Sequence, residues 1–326
     1  MKKAFKNIIS LLLILAAFQG TAQEQIKKEK KRYEHFKERN ISKTYSASGN
    51  TLTIDNRFGD VKIETWEKNE IKVDIHIEAS STDKDYAEKS FERIDVKDSQ
   101  EGKNIKFKTT LGDRQEKMGC NNCSSTLEIK FEIHIPSGNS LVIENTFGDI
   151  ILPDYNGTVS LTCKYGSLTT GKLTHPEKIA VDFGNADIKN VGNIDLDFKY
   201  SSIKIGSLSG DCKLKMSFCG YSKISLDKTL TSLTLNDSYS TVHLEPADNL
   251  PATYVINTSY GSFVDKTGLD IKRVDNPSRY GPDQSRKFEG KAGAGTVKID
   301  VKSSFGKIMI GKGSESDMKE KKKVRT

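Results

Sequence analysis

An aromatic residue followed by Gly, Ser or Cys and then a short apolar strand recurs nine times along this chain. The aromatics are Phe58, Phe147, Tyr165, Phe183, Tyr200, Phe218, Tyr239, Tyr260 and Phe305, and from Phe147 to Tyr260 successive copies stand 17–21 residues apart. A unit that short cannot bury its own apolar edge, so it must stack on neighbours of the same kind. With the aromatic as position 0, apolar residues tend to fall at −6, −4, 0, +3 and +5, as in Ile194, Leu196, Tyr200, Ile203 and Ile205. A spacing of two reads as a half-buried strand. The single spacing of three demands a bend, for which Gly or Ser at +1 is suited. The pattern predicts an all-β chain folded as a single-domain parallel β-helix, or β-solenoid, of about 18–21 residues per coil. The nine aromatics are expected to form an internal ladder. An antiparallel sandwich also has short strands, but it has no reason to hold an aromatic in one register of so many units. In "SFCGYSKISL" the second strand fits Tyr221 better than Phe218, which indicates a local insertion at that corner.

Between Phe58 and Phe147 lie two alternating strands, 71–79 and 127–136. They flank a short amphipathic helix near 83–94, with Ala87, Phe91 and Ile94 on one face and Thr82 or Asp83 as its cap. The chain opens with Lys2, Lys3 and Lys6, an apolar run over 8–18 and small residues at 20–22. That is the form of a secretory leader cleaved between Ala22 and Gln23; the run falls short of the roughly 20 apolar residues a membrane span needs. The expected organisation is a leader over 1–22, a basic linker over 23–44, the solenoid over 45–311 and a disordered basic tail over 312–326. An exported protein with no span after leader removal follows, in the periplasm, outer envelope or medium.

The net charge of +7 is modest and has no recognition motif beside it, so nucleic acid is not an expected partner. The five histidines are scattered. Cys120 and Cys123, in "CNNC", have no second C-x-x-C to complete a metal site, and in an exported chain they are disulfide candidates. Cys163 reads as a small buried hydrophobe, while the pairing of Cys212 and Cys219 stays open. Stacking places Asp195 beside Lys213 and Asp197 beside Lys215, matching the outward acids with cations. No catalytic, cofactor-binding or metal-ligating residue is assigned, and no cofactor is implied. The candidate binding face is the outward set Thr234, Asn236, Ser238, Asn257 and Ser259, which could hydrogen-bond an envelope polysaccharide or a protein partner. The function expected is non-catalytic binding or adhesion. The alternative is a carbohydrate-active β-helix enzyme, a polysaccharide lyase or glycosidase.

The segments "LTIDNRFGDVKIETWEKNEIKVDIHIEA", "IHIPSGNSLVIENTFGDIIL" and "FEGKAGAGTVKIDVKSSFGKIMI" resemble the bacterial "putative adhesin" domain family. The resemblance spans roughly 45–311. It implies one solenoid domain at the cell envelope, of largely unassigned function, and brings no catalytic residues with it.

Overall fold

The computed structural model describes residues 32–112, 122–276 and 284–313. These form one sheet of 21 strands with a single helix. The first strand, β1 (His35–Ser46), runs antiparallel along β4 (Glu70–Ser81). The sheet therefore begins inside the stretch expected to be a basic linker. Between them β2 (Thr51–Arg57) and β3 (Val61–Thr65) make the first corner, at Phe58. Helix α1 (Lys84–Glu92) starts where expected: the Asp83 side chain accepts from the Tyr86 N–H at 2.8 Å, and Ala87 is buried. Strands β5 (Ile94–Glu101) and β6 (Asn104–Leu111) form an antiparallel pair, and β7 (Ser125–Ile135) lies antiparallel to β4.

From there the chain repeats one unit. Strands β8 (Ser140–Thr146), β9 (Ile150–Leu152), β10 (Tyr155–Lys164), β11 (Ser167–Asp182), β12 (Asn185–Lys199), β13 (Ser202–Ser217) and β14 (Tyr221–Ser238) pair in parallel, each with the equivalent strand one repeat away. Strands β15 (Thr241–Pro246), β16 (Ala252–Ser259), β17 (Ser262–Lys266), β18 (Lys272–Arg273), β19 (Ser285–Lys291), β20 (Val297–Ser304) and β21 (Lys307–Gly311) complete the sheet. Their order in space is not their order in sequence: β20 lies between β14 and β16, in parallel with both. Antiparallel β19 covers the far edge of β16.

The internal ladder is aliphatic, not aromatic. At position −4, Ile54, Ile143, Leu161, Ile179, Leu196, Leu214, Leu235, Val301 and Ile256 lie side by side across nine adjacent strands. All are at most 1% exposed. Burying each such side chain contributes about 1.5–3 kcal/mol.

The nine aromatics do stack, but outside the fold. Eight of them are 45–56% exposed, and Phe58 is partly so. Their ring centroids are 4.6–5.2 Å apart with interplanar angles of 2–15°. The physical reason is the backbone: every one has a φ between 50° and 65°, in the left-handed region. A residue so placed breaks the alternation. In one unit Leu196 and Phe198 point in, Tyr200 swings out, and Ser201, Ile203 and Ile205 point in again. The bend inferred from the spacing is real, and the aromatic sits at its apex facing solvent.

This predicts an unusual substitution order at Phe183, whose φ is 57°. Phe183→Ala loses two ring contacts but keeps a Cβ in a left-handed conformation. Its expected loss is about 1–2 kcal/mol, well short of a core deletion. Phe183→Gly loses the same rings and relieves the strained conformation, worth roughly 1 kcal/mol. Urea melts should place the Gly variant at or above the Ala variant; the reverse order would mean that the corner is not left-handed in solution.

Candidate functional site

The sequence-predicted residues Thr234, Asn236, Ser238, Asn257 and Ser259 lie on one outward surface, but they are not on adjacent strands. Strand β20 separates the two groups and supplies Lys302 and Ser304 between them. Register then defines two rows that cross five strands. The −1 row runs Ser217, Ser238, Ser304, Ser259 and Ser285, on β13, β14, β20, β16 and β19. The −3 row runs Lys215, Asn236, Lys302, Asn257 and Lys287 on the same strands. Strand alternation explains why both rows face out, since positions −2 and −4 point into the core. Within the serine row, Ser238 Oγ donates to Ser217 Oγ at 3.3 Å.

Two shallow grooves follow these rows. One, of about 440 Å³, is lined by Lys215, Ser217, Asn236, Ser238, Lys302 and Ser304. The other, of about 360 Å³, is lined by Asn257, Ser259, Ser285, Arg286, Lys287 and the same Lys302, with one carboxylate, Asp275, which Arg273 holds at 2.6 Å. Thr234 lies one row further out, between Lys213 and Asp300. The ring edges of Phe218, Tyr239, Phe305 and Tyr260 border the other side of the serine row.

The charge pairing is only half of what stacking suggests. Asp195 does meet Lys213, at 3.9 Å. Asp197 turns instead to Lys199 on its own strand, at 3.6 Å, which leaves Lys215 to the groove. Lys287 pairs with Glu289 at 2.6 Å. The members missed by sequence reasoning, Lys215, Ser217, Lys302, Ser304, Ser285 and Lys287, include four at the same −3 and −1 positions of their own repeats. That was the available signal.

His243, which the alternation places outward, is buried. The last residue of β21 covers it: Nε2 lies 2.6 Å from the Gly311 carbonyl and Nδ1 3.0 Å from the Tyr221 hydroxyl. Cys163, Cys212 and Cys219 are free and buried. Burial pushes the Cys163 thiol up to about 12 and raises those of Cys212 and Cys219, so none is a ready nucleophile. Cys123 is disulfide-bonded; Cys120, like Ala22 and Gln23, lies outside the described residues. On β1 and β4, ligand atoms of Glu38, His76 and Glu78 lie within 4.8 Å of one another. His76 Nδ1 is already engaged by Asn40 Oδ1 at 2.8 Å. Among the described residues, no helix is long and apolar enough to cross a membrane.

No family model matches the chain, and no curated protein does. The chain is similar to solved structures described as putative adhesins. One from Bacteroides fragilis is 10% identical, with a TM-score of 0.38 over 83% of this chain and 97% of that one. One from Parabacteroides merdae is 9% identical, with a TM-score of 0.37 over 86% and 98%. A Parabacteroides distasonis protein described as a putative lipid binding protein is 12% identical, with a TM-score of 0.39 over 86% and 98%.

Proposed function

We propose that this chain is an exported, non-catalytic β-solenoid of the cell envelope that binds an extended polymer along the face formed by β13, β14, β20, β16 and β19. The observation that carries the reading is the pair of rows: five outward serines on five adjacent strands, beside alternating Lys and Asn. Such a face offers hydroxyl, amide and ammonium groups at one strand spacing, roughly 4.8 Å. It is shallow and continuous, which suits a polymer laid along the sheet better than a small molecule held in a cavity.

The alternative of a glycosidase or lyase finds less support. A glycosidase needs two carboxyl groups placed across one bond. Among the described residues, Asp187, Asp195 and Asp197 are each paired with lysine at 3.0–3.9 Å. A wider groove of about 680 Å³, beside the Pro246–Leu250 turn, has one carboxylate in its lining, Asp248. Lys312 holds it at 2.9 Å.

Glycan-array binding of the purified protein tests the reading. The double variant Asn236→Ala/Asn257→Ala should lose about tenfold in affinity while its melting temperature barely moves. Unchanged binding would move the site elsewhere, and release of sugar fragments would establish an enzyme. The same preparation tests the processing proposed with it, a cut after Ala22 and a Cys120–Cys123 bond. N-terminal sequencing that returns Met1, or a non-reducing peptide map with both thiols free, would refute those two points.

A further inference from the structure

The binding face has a period of two strands, not one. Strand β13 carries Lys215, Ser217 and then Phe218. Strand β14 carries Asn236, Ser238 and then Tyr239. On β20 the set is Lys302 and Ser304, followed by Phe305, and on β16 it is Asn257 and Ser259, followed by Tyr260. Lysine keeps company with Phe and asparagine with Tyr, four strands in succession. The ring stack shows the same alternation further along, through Phe147, Tyr165, Phe183 and Tyr200. In chain order Tyr239 and Tyr260 are successive copies. The placement of Phe305 between them, at 4.8 and 4.9 Å, restores the alternation in space. Chemically equivalent groups thus recur at two strand spacings, roughly 10 Å.

We infer that the ligand is an anionic, extended β-linked polysaccharide carrying one acidic group on every second sugar. This rests on the polymer-binding reading above and names the class of polymer. Each sugar of an extended β-linked chain advances by about one strand spacing, so a disaccharide matches one Lys strand plus one Asn strand. Lys215 and Lys302 are exposed, and among the described residues neither has an ion-pair partner. Each can meet a carboxylate or sulfate of the acidic sugar. The asparagine amide offers both donor and acceptor to a hydroxyl or acylamino group of the neutral sugar, with the tyrosine hydroxyl beyond it.

The rings narrow the class further. Phe218, Tyr239 and Phe305 each have a ring stacked on both faces, so those three are closed to a stacked sugar face or a nucleobase; Tyr260 ends the stack, with one ring neighbour. What the three present is the C–H edge, the positive side of the ring quadrupole. An oxygen-rich anion is favoured there. On the other side the −5 row is mixed in charge: Lys213 on β13, paired with Asp195, then Thr234 on β14, Asp300 on β20 and, on β19, Glu289, paired with Lys287. Among the described residues, the unpaired lysines of the face are thus in the −3 row.

Isothermal titration of the full mature chain with three oligosaccharides of equal length tests the inference. One is a hyaluronan fragment, acidic at alternate sugars; one is a β-linked polymannuronate fragment, acidic at every sugar; one is a neutral chito-oligosaccharide. The hyaluronan fragment is expected to bind best, with affinity that falls as salt rises. Lys215→Gln/Lys302→Gln should weaken it about tenfold or more. Lys204→Gln, outside the face and paired with Asp187 at 3.0 Å, should leave it unchanged. Equal or tighter binding of polymannuronate would overturn the alternation. Preferred binding of the chito-oligosaccharide, indifferent to both lysines, would overturn the anionic class while sparing the polymer-binding reading. Failure of all three, with an array on which nothing binds, would remove both.

Discussion

Gly184→Ala is expected to destabilise the chain by about 3 kcal/mol or more, although it adds one methyl group. A Cβ at Gly184 would stand 1.8 Å from the Gly166 carbonyl oxygen; at Gly166 it would stand 2.0 Å from that of Gly148, and at Gly148 2.0 Å from that of Gly59. These are the residues that follow four of the ladder aromatics, and they form a column down the inside of the corners. The atom each would strike is backbone, so no side chain can swing aside. The corners can approach this closely only because the column is bare. One repeat further the column changes. Ser201 holds the same position: its one hydroxyl proton is shared between the Lys199 carbonyl at 2.7 Å and the Val181 carbonyl at 3.1 Å, and its oxygen accepts from the Gly184 N–H at 3.2 Å. Ser201→Ala should therefore cost only about 1 kcal/mol, the net worth of a hydrogen bond. Paired urea melts of the two variants measure the difference. Similar midpoints would show that successive corners are further apart in solution than the column requires.

The same corner shows what the sequence could and could not convey. The period, the strand alternation, the bend and the helix capped at Asp83 were legible because each is a local pattern. So was the stacking of the aromatics, since one register repeated nine times has few other causes. Their direction was not legible. Position 0 continues the parity of −6 and −4, and a bulky apolar residue in that parity reads as core. A left-handed backbone reverses the reading, and Phe or Tyr is a poor marker for it because that conformation favours Gly and Asn. The uniformly small residue at +1 was the better clue, for it marks the position that truly points in. The binding face was half legible. Its Ser, Thr and Asn members stood out by composition, whereas Lys302 and Ser304 entered only through the insertion of β20 between β14 and β16. A non-consecutive strand order leaves no local trace. The burial of His243 failed to show for a related reason: the groups that cover it, Tyr221 and Gly311, come from other repeats.

Asp237→Asn should make the protein more stable at neutral pH, by about 1–3 kcal/mol, and should leave it unchanged in acid. Asp237 occupies position −2, inside the corner, and is 6% exposed. Its neighbours in register are Met216 and Ser303. Ser303 Oγ donates to Oδ2 at 2.7 Å, while Oδ1 has no partner among the described residues. Burial raises its pKa above the ordinary 3.8 of an aspartate, and hydrogen bonds from Ser240 and Ser303 oppose that only in part. The folded chain therefore prefers the neutral acid, whereas the unfolded chain ionises freely above pH 3.8. Stability is fully present below that pH. It falls as pH rises toward the folded pKa and is flat above it. An asparagine has no charge to lose, so its advantage should open over that same interval. Two other corners already make this choice. At the equivalent position the Asn56 amide donates to the Gly59 and Ile129 carbonyls at 3.2 and 3.1 Å, and that of Asn145 to Gly59 at 2.9 Å. Asp237→Ala is the control: it removes the charge but strands the Ser303 hydroxyl, so it should gain less than Asn at pH 7. Chemical denaturation of the three proteins between pH 3.5 and 7 distinguishes the cases. An Asn variant that parallels the wild type at every pH would show that Asp237 stays ionised in the fold, and that its buried carboxylate is held by a partner other than the two serines.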